Sequence, residues 1–196
     1  MISTTADDDC KRLALNNASR SLDFDRRLPE RVFSVDWSRF RFFQSDRLFV
    51  GKFIVALHDL LATEGGTTGC LVNLSETRSF SQDEVAAWFL DTTTMEDEFV
   101  TRLRGDNPAE GWLYAMDRYV CASDVGQWCI YSEKENDIAV IGFHDDKGLN
   151  DFRQTVEDLQ ALSLDTIEDV SSGPFPFNSL TLAWREALKR HYKETT

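Results

Sequence analysis

The sequence predicts an α+β fold in which an antiparallel β-meander, about residues 112–143, has helices packed before and after it. From Gly111 onward the apolar residues recur with a period of two, which is typical of strands. The polar breaks at 123–126 and 134–136 are too short for a parallel crossover, so consecutive strands must be antiparallel neighbours. Apolar residues on both sides of this region recur at three- and four-residue spacing, which indicates helices.

The beginning of the chain differs in character from the rest. Residues 1–30 are predicted to form a poorly ordered or extended arm, because polar residues dominate and few apolar positions recur regularly. Residues 31–196 are predicted to form a single α+β domain, a length that one hydrophobic core can serve. This domain opens with a strand within 32–43, where aromatic residues alternate with two arginines. A short helix is the alternative for that stretch.

Helices and one strand are predicted between this first strand and the meander. A helix runs from Asp46 to about Thr63 with one apolar stripe, and Gly65 ends it. A short strand follows over 70–74. The capping-box pattern that begins at Ser81 predicts a second helix through 81–89. A third, short helix covers about 95–103.

The meander and the helices after it complete the prediction. Its three strands cover 112–122, 127–133 and 137–143. A helix over about 148–162 presents its apolar residues on one face. Asn178 is predicted to cap the last helix, whose final turn carries the basic residues that a helix dipole favours.

The net charge is the most informative feature of the amino-acid composition. The chain has 21 Lys and Arg against 34 Asp and Glu, a formal net charge of −13. Such a molecule repels nucleic-acid backbones and anionic lipid and attracts basic partners, so no nucleic acid and no membrane is expected as a partner. Residues 11–52 hold ten basic and five acidic side chains, a net +5, whereas residues 53–170 hold seven and twenty-four, a net −17. The two regions could dock on one another or face different partners.

Targeting and cofactor signals are absent from the sequence. No run approaches the ~18 apolar residues of a spanning helix. The acidic start lacks the apolar core of a secretory signal, so a cytoplasmic location is expected. Four cysteines lie far apart and are expected to be free thiols: Cys10, Cys70, Cys121 and Cys129. The histidines form no pair at metal-ligand spacing, and we predict no cofactor and no metal site.

The cluster His144-Asp145-Asp146 is the candidate catalytic site in this sequence. Adjacent carboxylates at a strand end can hold Mg²⁺, and an imidazole can act as a base. Neighbouring residues of a strand point to opposite faces, however, so Asp145 and Asp146 would not naturally share an ion. We therefore predict no catalytic residues and a polar link that ends the strand, with a metal-dependent hydrolase as the alternative.

The stretches Trp128-Cys-Ile-Tyr131 and Ile138-Ala-Val-Ile-Gly-Phe143 resemble the central sheet of small cytosolic immunity proteins. These protect bacteria against polymorphic toxins, including those of type VI secretion systems. The resemblance covers about residues 110–160 and rests on size, acidity, aromatic richness and the α+β layout. It implies a protein that binds a cognate toxin and neutralises it. We predict in addition that the protein is not an enzyme, that the toxin surface is basic, and that the protein is a monomer or homodimer. A secretion chaperone or adaptor, also small and acidic, is a further alternative.

One edge of the meander, between residues 133 and 146, is predicted to be the acidic surface that binds this partner. Its acids are Glu133, Glu135, Asp137, Asp145 and Asp146. Trp112, which follows the Asn107-Pro108 turn, is expected to be partly exposed and to add an aromatic contact. A rigid acidic surface would be steered onto a basic cleft and would fill it.

Overall fold

The computed structural model describes residues 3–75, 77, 80, 85–106, 111, 117–169 and 179–193. Its elements are, in chain order, α1 (Ser3–Ser21), β1 (Arg39–Gln44), α2 (Lys52–Glu64), β2 (Thr68–Asn73), β3 (Ala87–Asp91), α3 (Glu96–Arg104), β4 (Arg118–Ser123), β5 (Trp128–Glu133), β6 (Ile138–Phe143), α4 (Asp146–Asp151), α5 (Arg153–Asp158), α6 (Leu164–Asp169) and α7 (Leu182–His191). The described strands form one antiparallel sheet in the order β1-β6-β5-β4-β2-β3. The predicted α+β fold and its meander, β4-β5-β6, are confirmed.

The sheet is covered on both faces, which explains the continuous apolar runs of the meander. Every residue of β5 and β6 is buried, so these strands do not alternate between wet and dry positions. On one face α2, α3 and α5 pack on a core that includes Phe53, Trp128 and Ile141. On the other face α1 and α7 pack on a second core that includes Phe42 and Tyr192.

The open edge of β1 is closed by the chain itself. Phe42 and Leu162 exchange both backbone hydrogen bonds, each with an N···O distance of 2.8 Å. The Arg41 guanidinium donates to the carbonyl oxygen of Phe40 at 2.6 Å. The N–H and the carbonyl of Phe42 and the carbonyl of Phe40 therefore have partners within the chain.

The prediction of a poorly ordered or extended arm over residues 1–30 is wrong, because most of this segment is a helix. Residues 3–21 form α1, which packs across β2 and β4. Its buried positions among the described side chains are small or aliphatic, namely Ala14, Leu15, Ala18 and Ser21. Small residues let the helix lie close to Ala122 and its neighbours on the sheet, and burial there stabilises a helix that has little apolar stripe of its own.

The helix predicted through Phe89 is wrong, because residues 87–91 form β3. This strand pairs with β2, and Trp88 and Leu90 are buried while Ala87 and Phe89 are only partly covered. The alternation fits a strand at the edge of the sheet, and pairing with β2 overrides the local capping pattern. Residues 81–84, which carry that pattern, lie outside the described residues.

Other predicted elements are present with shifted ends. The helix expected from Asp46 begins at Lys52 because 45–49 form a 3₁₀ turn, and Gly65 ends it in the left-handed conformation as predicted. The strand expected within 32–43 begins only at Arg39.

The remaining helices also differ from their predictions in detail. The helix expected over 148–162 is divided into α4 and α5 around Phe152. The hydroxyl of Thr181 caps α7 by accepting from the N–H of Trp184 at 3.3 Å. Asn178, the predicted cap, and the strand portion 112–116 lie outside the described residues.

The cysteines are free thiols, as predicted, and three of them are buried. Burial raises the pKa of the Cys70 thiol to about 12 and that of the Cys129 thiol further. Cys121 pairs with Ile130 across the β4–β5 ladder rather than with Cys129. In the described segments, none of the helices combines the length and the hydropathy that crossing a bilayer demands.

Candidate protein-binding surface

The predicted acidic surface is divided between the two ends of β6. Glu133, Glu135 and Asp137 lie at the β5–β6 turn, whereas Asp145 and Asp146 follow the last residue of β6. At about 3.3 Å per residue, β6 separates the two groups by roughly 20 Å. The expectation of one continuous acidic edge is therefore wrong.

Glu133 belongs to the interior rather than to a surface. Its side chain is 1% exposed and accepts from the Leu28 N–H at 3.1 Å and from Asn136 Nδ2 at 3.2 Å. Burial raises the pKa of this carboxyl, while the nearby Arg27 guanidinium lowers it. Because its oxygens face backbone and side-chain donors of the same chain, Glu133 cannot contact a partner directly.

Arg27 docks the arginine-rich segment onto this acidic turn. Its Nη1 lies 3.0 Å from Asp117 Oδ2, 3.5 Å from Glu135 Oε2 and 3.7 Å from Glu133 Oε1. Asp137 accepts a hydrogen bond from the Ser45 hydroxyl at 2.8 Å. At this end of β6 the basic region, residues 11–52, therefore docks on the acidic region, residues 53–170. Trp112, the predicted aromatic contact, lies outside the described residues.

The opposite end of β6 is organised by His144. Its Nδ1 lies 3.1 Å from the carbonyl oxygen of Asp36 and its Nε2 lies 3.2 Å from that of Gly126. The imidazole also stacks on the buried Trp37, with ring centroids 4.1 Å apart. Each ring nitrogen thus faces a carbonyl of a different loop, 34–38 or 123–127; the neutral ring donates to one of them and the imidazolium to both. Residues 34–38, 123–127 and 144–146 together form one surface, which we call the acidic end face.

The 123–127 turn is braced from α1 and from the start of β2. Asn17 Nδ2 donates to the carbonyl oxygens of Ser123 and Asp124 at 2.9 and 3.1 Å. The Asp124 carboxylate accepts from the Thr67 N–H at 3.1 Å and from its hydroxyl at 2.8 Å. Gly126 has a φ of 81°, and a Cβ there would lie only 2.7 Å from Asn17 Nδ2. This turn therefore has one well-defined conformation.

Glu64 supports the same turn from beneath. Its carboxylate accepts from the Gln127 N–H at 3.1 Å and from the Trp128 indole N–H at 2.9 Å. Burial raises the pKa of the Glu64 carboxyl above its ordinary value, against the opposing effect of these hydrogen bonds.

A pH dependence of stability follows from Glu64. Because the folded state raises the pKa, it holds this proton more tightly than the unfolded state does. The stabilising contribution is complete below the unfolded pKa and is lost as pH rises through the folded pKa. We expect the free energy of unfolding of the wild type, relative to Glu64→Gln, to fall as pH rises above the ordinary glutamate pKa of about 4.3. Urea unfolding of both proteins at each pH measures this; a difference that does not change with pH would contradict it.

The acidic end face presents apolar and acidic side chains together. Val35 is 91% exposed and Val125 is 43% exposed, and each is adjacent to an exposed or half-buried aspartate, Asp36 and Asp124. For the Asp36 carboxylate, the described residues provide no hydrogen-bond donor or cation. Exposed apolar patches that are rimmed by polar residues mark protein-interaction sites.

The other two acids of this face have structural partners as well. Asp145 Oδ1 accepts from the Gly148 N–H at 2.8 Å and so caps α4. Asp146 Oδ2 accepts from Arg39 Nη2 at 2.9 Å, and this hydrogen bond lowers the pKa of the Asp146 carboxyl. Within the described ranges, no three His, Cys, Asp or Glu side chains are grouped to hold a metal ion.

Sequence reasoning missed Val35, Asp36, Asp124 and Val125. Val35 falls within the strand predicted for 32–43, and 123–126 is predicted only as a polar break between two strands. A signal was present, since each segment places one valine beside an aspartate. Only the contacts of His144 show that the two segments share one surface.

Comparison with known proteins adds no relative. No protein-family model matches the sequence, and neither a curated protein nor a solved structure matches the chain. The resemblance of β5 and β6 to immunity proteins therefore stays a prediction based on those residues.

Proposed function

We propose that this protein is a non-enzymatic binding module that takes a basic protein partner on the acidic end face. The observation that carries the proposal is the bridge made by His144, which holds Val35 and Val125, with Asp36 and Asp124, on one braced surface. Because the loops of this surface are already held in place, binding costs less conformational entropy than it would on a flexible surface. Net negative charge speeds the approach of a basic partner, and the valines supply apolar contact once it arrives.

We further propose that the partner is a bacterial toxin and that the protein acts as its immunity protein. This narrower proposal is based on the sequence resemblance, on the charge of −13 and on the preformed surface. A toxin with a basic substrate cleft would present the charge that the acidic end face complements. Filling that cleft would block its activity without any bond being made or broken by this protein.

Reversal of one charge tests the surface. Asp36→Lys places a positive charge beside Val35 without removing a side-chain hydrogen bond or ion pair of Asp36 to the described residues. The matched control is Asp59→Lys, which makes the same charge change at an exposed position of α2. We expect a partner captured from the native host by the wild type to be retained by Asp59→Lys. Asp36→Lys should bind it at least about tenfold more weakly in calorimetric titration.

Equal binding by both variants would remove the acidic end face from the proposal. For the narrower proposal, the captured partner is expressed alone and together with each variant. Growth restored by the wild type and by Asp59→Lys, but not by Asp36→Lys, is the expected outcome. A partner that is harmless when expressed alone would refute the immunity role and leave the binding surface in place.

A further inference from the structure

The edge of the sheet at β3 differs from the edge at β1, because no other described strand covers it. Among the described strands, β3 pairs only with β2. The Asn73 N–H donates to the carbonyl oxygen of Ala86 at 2.8 Å, so the even-numbered residues of this segment direct their main-chain groups toward β2. The main-chain groups of the odd-numbered residues, Ala87, Phe89 and Asp91, therefore face away from the sheet.

The centre of this edge is open at Phe89. On its two sides the chain supplies partners: the Ala87 N–H donates to a carbonyl oxygen of the preceding turn at 3.0 Å, and the Asp91 N–H donates to the Thr94 hydroxyl at 3.1 Å. His58 Nε2 lies 3.0 Å from the Asp91 carbonyl oxygen. No group in the described part of the chain donates to or accepts from the outward main chain of Phe89. One donor and one acceptor are thus available there to another strand.

A groove follows this edge between α1 and α3, and Lys11, Phe89 and Arg102 are among its lining residues. The Phe89 side chain lies on the α1 side of the sheet, where Lys11 Nζ is 5.9 Å from its ring centroid. Trp88 lies on the α3 side, where the Arg102 guanidinium is 4.5 Å from its ring centroid. A strand placed in the groove would therefore have a different cation beside each of its two faces.

The chain already neutralises one of these cations but not the other. The Lys11 ammonium pairs with the Asp7 carboxylate at 2.5 Å. Arg102 is exposed and forms no ion pair with a described carboxylate. The remaining acid of the groove, Asp91, accepts from the Thr93 N–H at 2.8 Å and so is engaged in its own turn. Arg102 is the charge that a partner can complement.

We infer that β3 binds an extended peptide segment of a partner protein, which adds a strand to the sheet and places one acidic side chain against Arg102. Main-chain hydrogen bonds to Phe89 supply affinity, and the side chains on the two faces supply specificity. In antiparallel pairing, the residue opposite Phe89 has its side chain on the α1 side, and the next residue, opposite Trp88, has its side chain on the α3 side. The segment is therefore an acidic residue between two apolar ones.

A second copy of this chain fits the same edge poorly. Pairing of β3 with itself about a two-fold axis at Phe89 would place Leu90 of the other copy, rather than an acid, opposite Trp88. It would also bring both Arg102 guanidinium groups to one side of the joined sheet, where like charges repel. Each copy moreover carries a net charge of −13. None of the residues of this site belongs to the acidic end face, so the inference does not depend on the proposed function.

The peptide acetyl-Thr-Val-Glu-Val-Thr-amide is the probe, titrated into the ¹⁵N-labelled full chain. We expect saturable binding, the largest amide shifts at residues 87–91, and slower hydrogen exchange of the Phe89 N–H. Methylation of both valine nitrogens removes the N–H groups that face β3 and should weaken binding by about tenfold or more. Methylation of the glutamate nitrogen is the matched control, because this N–H faces away from β3; it should weaken binding much less.

The charge contact is tested with a second peptide, in which glutamine replaces the glutamate. The wild type should bind the glutamate peptide about two- to fivefold more tightly than the glutamine peptide, the usual range for an exposed ion pair. Arg102→Gln should bind both peptides equally. The control is Arg104→Gln, which removes an exposed arginine from the same turn of α3 and should keep the wild-type preference.

Four results would overturn the inference. They are the absence of saturable binding, an equal loss from the two kinds of methylation, a preference for glutamate that survives in Arg102→Gln, and a dimer of the free protein in sedimentation with the Phe89 N–H already protected. The last result would assign the β3 edge to a second copy of the chain.

Discussion

Leu15→Ala is expected to lower the free energy of unfolding by about 2–5 kcal/mol, the usual cost of removing a buried leucine side chain. Leu15 is 2% exposed and lies on the face of α1 that packs on the sheet. Ala14 and Ala18 on the same face bring the helix close, so the surrounding atoms have little freedom to fill the cavity that the substitution leaves. Urea unfolding followed by circular dichroism measures the change.

Leu13→Ala is the matched control, two residues away on the same helix. Leu13 is 46% exposed, so the same chemical change should alter stability by less than about 0.5 kcal/mol. If both substitutions were neutral, residues 3–21 would behave as the loose arm that the sequence alone predicts. The pair therefore tests the largest difference between the predicted and the observed fold.

Gly142→Ala is expected to destabilise the protein by about 1–3 kcal/mol through overpacking. A Cβ at Gly142 would lie 2.7 Å from Cε1 of Phe33. Phe33 cannot easily withdraw, because its ring is packed between Trp37 and Phe40, with centroids 5.7 and 5.2 Å away. Thermal and urea unfolding measure the loss.

Gly148→Ala is the control, and its expected effect on the free energy of unfolding is opposite to that of Gly142→Ala. At Gly148, within α4, the nearest atoms to a Cβ are at 3.5 and 3.6 Å, which is ordinary contact. Alanine is favoured over glycine in a helix, so this substitution should be neutral or should stabilise by up to about 1 kcal/mol. A Gly142→Ala protein as stable as the wild type would show that Phe33 does not pack against β6 in the way described.

Sequence patterns predicted those elements whose local signals agree with their environment. α2 has an apolar stripe and ends at Gly65, and both features are local. The β4-β5-β6 meander has short connections that leave antiparallel pairing as the simplest arrangement. In these regions the pattern along the chain and the packing in space lead to the same structure.

α1 and β3 were missed because their conformations depend on the rest of the sheet. Apart from Leu15, the buried residues of α1 are alanine and serine, which give no strong apolar stripe. β3 follows a sequence with a helix-start pattern but pairs with β2 instead. The acidic end face was missed for a similar reason: His144 contacts Asp36, 108 positions earlier in the chain, and no local pattern indicates such a contact.

The hydrogen bonds between Phe42 and Leu162 have a consequence for how molecules of this protein meet. An unpaired strand edge is a template for pairing with another chain, and sheets joined in this way can grow into aggregates. Here the middle of β1 is occupied by the chain itself, and Arg41 takes the carbonyl of Phe40. Two copies of this protein therefore cannot extend their sheets into one another by pairing the middle of β1 with a strand of the other copy. We expect no polymerisation through the β1 edge, even at high protein concentration.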